Sequence, residues 1–238
     1  MLRTELFKLR THRTPWVLLT LLISSLLIAP TYYAIKNPAD SNAVIETFVG
    51  VFGVVTSLLA VIFGGWIVGH EFRQGTLRRV LGNDARRARL IATKAGVGLG
   101  ALILGMSAAV AIGALASMTS VASFGETIMW DGVSRDLLGW GLQALFTASV
   151  AFGLSILLRS DTYAMLGAVA LMNIVGPLLT LIPRVGKYMP SALAADVTLW
   201  IGGVEEPVVA IVPASLGLLA TIAVLVAAAT MTFQHRDI

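Results

Sequence analysis

The sequence predicts an all-α membrane protein with six transmembrane helices, and three observations carry that prediction. Of its 238 residues, 57% are hydrophobic and 13% charged, about half the ~25% charged content of an ordinary soluble domain. Six runs contain no Asp, Glu, Lys or Arg: residues 14–35, 47–70, 95–125, 137–158, 162–183 and 207–235, each at least 22 residues long. At ~1.5 Å per helical residue, about 20 residues cross a hydrocarbon core of ~30 Å, so every run is long enough to span. The basic residues are also segregated. With both termini on one side, 13 of the 17 Lys and Arg fall on that side, which the positive-inside rule makes cytoplasmic. The expectation is a multi-pass membrane protein with both termini cytoplasmic, folded as one transmembrane domain over residues 1–238. The formal charge of +4 then reflects topology rather than nucleic-acid binding.

Residues 1–13, MLRTELFKLRTHR, place Leu2, Leu6 and Leu9 on one stripe with Arg3, Lys8 and Arg10 off it. That spacing predicts an amphipathic interfacial helix, its basic residues near anionic lipid. The first span, about 15–35, opens with Pro15, where a missing amide donor costs little. Its 22 uncharged residues exceed the apolar part of a secretory signal, so it reads as a retained anchor. The second span is about 48–68. The third, about 94–118, carries Gly96 with Gly100 and Ala109 with Gly113, small pairs that let helices approach closely. The fourth, about 137–158, leads through a tight turn at Arg159 and Asp161 into the fifth, about 162–182, where Gly176 and Pro177 predict a kink. Residues 183–207 form an extracellular segment read as short interfacial helices, and the sixth span is about 208–233.

Several chemistries find no residues to carry them. There is no cysteine, hence no disulfide framework, thiolate metal site or cysteine nucleophile. The three histidines, His12, His70 and His235, sit at predicted cytoplasmic ends. No HExxH and no GxxxxGK[ST] occurs, so neither zinc proteolysis nor ATP hydrolysis is expected of this chain. None of the six runs holds an ionisable residue near the bilayer midplane, where one would couple transport to an ion gradient. Gln143 and Asn173 are the candidate pathway residues among the polar groups inside the spans.

The most charged stretch, GHEFRQGTLRRVLGNDARRARLIATK, is residues 69–94, and it lies between the second and third spans. Leu77, Val80 and Leu81 share one face of a short helix, Gly82 can end it, and Asn83 or Asp84 can cap the next segment. His70 beside Glu71 reads as a solvated pair. The run Glu71, Phe72, Arg73, Gly75, Thr76, Leu77, Arg78, Leu81 and then Lys94 resembles the first cytoplasmic loop of type-2 ABC exporter permeases, which has Glu-aromatic-Arg-x-Gly-Thr-Leu, basic residues, and a Lys opening the third span. The amphipathic N-terminal helix, the six spans and the extended segment before the last span extend the resemblance over nearly the whole chain.

The resemblance implies that residues 71–82 form a coupling helix fitting a groove on a separate ATP-binding subunit. Glu71 and Arg73 would steer polar contacts, while Leu77 and Leu81 supply the buried face. It further implies a second permease subunit, identical or homologous, with ATP and Mg in the partner and no cofactor in this chain. The expected function is export of an amphipathic or hydrophobic compound such as a drug, peptide or lipid. Two other classes stay open: a carrier or channel independent of ATP, and a membrane scaffold or immunity protein.

Overall fold

The computed structural model describes residues 2–36, 42–75, 87–123, 130, 132–175, 178–179, 181–182, 186–188, 190–201 and 211–235. All regular structure among them is helical: α1 (Leu2–Thr11), α2 (Arg13–Lys36), α3 (Asn42–Gln74), α4 (Arg87–Ala122), α5 (Val133–Leu158), α6 (Asp161–Ala170), α7 (Pro190–Ile201) and α8 (Ile211–His235). Four of these, α2 to α5, are long and apolar enough to cross a membrane, and Asp161–Val175 and Val212–Val224 are shorter apolar stretches. The chain is therefore an all-helical protein built for a membrane.

The long helices overrun the charge-free runs. α3 extends three residues past Glu71, and α4 begins seven residues before Lys94. A charged residue marks where the apolar surface ends, not where the amide ladder ends. Pro15 lies in the first turn of α2, whereas Pro30 interrupts its ladder further on; there the buried Ser120 hydroxyl donates to the Pro30 carbonyl at 2.9 Å, tying α2 to α4.

Burial separates the helices into a centre and a periphery. In their apolar stretches 56% of α3 and of α5 is buried, against 22% for α2 and 17% for α4. Leu22, Leu26, Phe48, Phe52, Met106 and Ala148 join these four helices in the main core. The α3 to α5 contact is close because Gly64 lies against the Ala148 backbone, leaving no room for a Cβ. Five residues further on, a Cβ on Gly69 would sit 2.5 Å from Asp161 Cα, so α3 also rests directly on the start of α6. Outward, Val54, Leu104 and Leu115 are exposed, as a lipid-facing surface requires. The small pairs divide: Ala109 is buried and Gly113 faces Phe48 and Leu26, but Gly96 and Gly100 meet nothing, correcting their reading as a packing pair within this chain.

The turn after α5 is two residues long, as its sequence predicts. Arg159 takes a left-handed conformation (φ 52°), and Ser160 caps α6 by accepting from the Tyr163 amide. From Leu171 to Val175 the helix relaxes into π geometry. Pro177 has no N–H to offer the Asn173 carbonyl four residues before it, which gives a reason for the loosened ladder; Gly176 and Pro177 themselves lie outside the described residues. In the 183–207 segment, a 3-10 turn at Gly186–Tyr188 and α7 are helical. Leu193 and Val197 of α7 pack on Ala214 of α8, so this segment folds back onto its own chain.

Candidate functional site

The end of the bundle that carries α1, the C-terminus of α3 and the N-terminus of α4 holds four charged side chains in a closed ring. Lys8 Nζ donates to Glu71 Oε1 at 2.6 Å and to Glu5 Oε1 at 3.1 Å; Lys94 Nζ donates to Glu71 Oε1 at 2.6 Å and to Glu5 Oε2 at 2.9 Å. Each lysine touches both carboxylates and each carboxylate touches both lysines. The Lys94 side chain is 2% exposed, Glu71 7% and Glu5 12%. Charges this sheltered require partners, and the two positive and two negative members cancel. Helical spacing explains the ring. Glu5 and Lys8 sit at i and i+3 on one face of α1, while Glu71 and Lys94 are where α3 and α4 enter and leave the apolar layer.

Burial disfavours the Lys8 ammonium, but its hydrogen bond to Glu71, that carboxylate's charge and the contacts to Glu5 outweigh this. Its pKa is held above the ordinary lysine value of 10.5. A cavity of about 220 Å³ adjoins the ring between α1, α3 and α4. Because the ring is neutral and internally bonded, it offers this cavity no net charge with which to hold an ion.

A second contact reinforces the attachment of α1. His12 meets the Trp66 ring edge-on at 5.6 Å and the His70 ring edge-on at 4.9 Å, while Trp66 and His70 lie 5.6 Å apart. His70 and Glu71 are therefore not the solvated pair their sequence position suggested: α1 covers them. Further out, Arg73 Nη1 pairs with Asp161 Oδ2 at 3.0 Å, and Arg73 Nη2 lies 3.4 Å from His70 Nδ1. The last two turns of α3 thus bond to α1, α4 and α6 together.

The residues expected to couple the chain to a partner divide at Gly75. Glu71, expected to steer polar contacts, accepts from the two lysines. Phe72 packs beside Val68, Ile91, Phe152 and Ile156. Arg73 is largely exposed, and Gly75 ends α3 with φ +65°, a left-handed conformation that glycine adopts without strain. Thr76, Leu77, Arg78 and Leu81, the Gly82 stop and the Asn83 or Asp84 cap lie outside the described residues.

On α1, Leu2 and Leu6 are exposed, but Leu9 packs against Leu18, Phe63 and Trp66. Lys8, assigned to the lipid-facing basic set, turns into the ring instead. Glu5 was missed by sequence reasoning. Its signal was a lone carboxylate within an otherwise basic helix, three residues from Lys8. The two candidate pathway residues are not brought together. Gln143 is half-buried in α5 with its Oε1 unbonded, whereas Asn173 is exposed and donates to the Val169 carbonyl of its own helix at 3.1 Å.

No protein-family model matches the chain, and no curated protein matches it either.

Proposed function

We propose that this chain is the permease subunit of an ATP-driven ABC transporter of the type-2 exporter class. It moves an amphipathic or hydrophobic compound, such as a drug, peptide or lipid, out across the bacterial inner membrane. A separate ATP-binding subunit holds ATP and Mg and performs hydrolysis, and a second permease subunit completes the pathway. The observation that carries this reading is the EFRQGTL stretch. Its first residue is a member of the buried ring and its glycine terminates α3 in a left-handed turn, so whatever grips the following segment pulls on a helix end bonded to three others.

In this scheme residues 76–82 are the part gripped, with Leu77 and Leu81 entering the groove of the ATP-binding subunit. Displacement passes to α3, and through Glu71 to Lys94 and Lys8. The test is purification of the tagged chain from its own host in mild detergent, followed by mass spectrometry of stoichiometric partners. We expect an ATP-binding subunit to accompany the wild-type chain. A Leu77→Asp, Leu81→Asp chain should lose it while keeping its membrane level and melting temperature. A chain that emerges alone under conditions preserving control complexes overturns the proposal, and ion-gradient transport by that lone chain would return the carrier reading.

A further inference from the structure

A second cavity, of about 300 Å³, lies between α1, α2, α3 and α4. Leu18, Leu22, Leu59, Phe63, Leu102 and Met106 form its apolar wall, and Leu6, Arg10 and Trp16 stand at its mouth. The stretch from Pro15 to Leu22 covers about 10 Å at the helical rise. One leaflet's hydrocarbon is about 15 Å deep, half of ~30 Å. The groove therefore follows an acyl chain through most of one leaflet.

Charge selects what stands at the mouth. α1 turns its carboxylate, Glu5, and Lys8 inward to the ring, so that its outward charges are Arg3 and Arg10, with Arg13 just beyond. Among the described residues neither Arg10 nor Arg13 is in an ion pair. Both are exposed and flank Trp16, whose Nε1 donates to the Arg10 carbonyl at 3.0 Å and so sets the indole beside the mouth. An apolar slot topped by the unpaired Arg10 guanidinium and an interfacial tryptophan complements an anionic amphiphile. We infer that this groove binds one anionic phospholipid per chain, an acyl chain along the α2 to α4 wall and its phosphate at Arg10.

This inference requires a bilayer and no ATPase, so it stands or falls separately from the transporter reading. The experiment is native mass spectrometry of the full chain in mild detergent, exchanged against dioleoyl phosphatidylglycerol or dioleoyl phosphatidylcholine. The wild type should retain one phosphatidylglycerol in about ten-fold preference, corresponding to ~1.4 kcal/mol. Arg10→Gln should bring the two lipids to near-equal retention while still holding one. Gly105→Leu should hold neither. A Cβ at Gly105 meets only Leu19 Cδ1, at an ordinary 3.6 Å, so the larger side chain has the groove to fill. Glycerol phosphate, a headgroup without chains, should displace nothing. Equal retention of both lipids by the wild type, a preference that survives Arg10→Gln, displacement by glycerol phosphate, or unchanged retention in Gly105→Leu each overturns the assignment. Melting temperatures without added lipid verify that each variant folds, and Arg10→Gln, at an exposed site, keeps the test decisive should Gly105→Leu fail to fold.

Discussion

Replacing Lys94 by Met removes one ammonium from the ring and leaves two sheltered carboxylates sharing Lys8, which is itself 33% exposed. The site passes from neutral to a net charge of −1. Removing one partner of a buried ion pair costs about 3–5 kcal/mol, and the remaining contact to Lys8 argues for the lower end. A loss of ~3 kcal/mol in a protein of this size corresponds to a fall of roughly 6–12 °C in melting temperature. Thermal unfolding in detergent measures it. Limited trypsinolysis reports α1 separately, because undocking releases Lys8 from the ring and exposes it to cleavage. The ring geometry makes a sharper demand. In a simple two-member bridge, exchanging Glu71→Lys with Lys94→Glu would restore stability. Here the exchange would set an ammonium at position 71 against Lys8 and a carboxylate at position 94 against Glu5, so the double variant should stay destabilised. Reversing all four charges should recover at least half of the loss. The reasoning is refuted if Lys94→Met melts within about 1 kcal/mol of the wild type, or if the two-residue exchange alone restores both stability and protection of α1.

Three further outcomes follow from the same geometry. Gly69→Val should destabilise by at least ~1–3 kcal/mol because its side chain would enter the Asp161 backbone, and melting temperature checks it. Arg73→Gln should cost no more than ~1 kcal/mol, since the arginine is 61% exposed and its bond to Asp161 is solvent-screened; unfolding in the same detergent measures this. Lys8 binds its proton more tightly when docked than when free, so its contribution to docking is complete below the ordinary pKa of 10.5 and is lost as pH rises past the docked value. Emission of Trp66, in a chain whose other tryptophans are replaced by Phe, should show α1 loosening in that alkaline range, with Lys8→Met lacking the Lys8 share of the change.

Helix identity was legible because lipid imposes a simple rule: long charge-free runs must be helical. Helix ends were less so. The criterion clipped α3 at Glu71 and α4 at Lys94, yet both helices continue into a polar layer where charged residues are as helical as apolar ones. The kink that Gly176 and Pro177 predict lies outside the described residues, and the five residues before them take π geometry. At the site, Glu71 and Lys94 were singled out by position, but their bonding was not. Glu5 and Lys94 stand 89 residues apart, and no local pattern encodes which face of α1 turns inward. Leu9 illustrates the same limit: it shares a stripe with Leu2 and Leu6, which are exposed, yet it alone of the three packs against Leu18, Phe63 and Trp66.

α3 is held by two kinds of joint that differ in compliance. Towards α5 and α6 it meets backbone directly, at Gly64 and Gly69, and such contacts admit neither sliding nor rotation without collision. At its C-terminal end it is tied to α1 and α4 also through lysine side chains, whose four-carbon stems can change torsion while the ammonium keeps its carboxylates. Motion along the axis of α3 would thus carry α5 and the start of α6 with it as one stiff body. α1 would instead pivot about the ring, which makes Glu71 the bearing of that helix rather than one of its bolts.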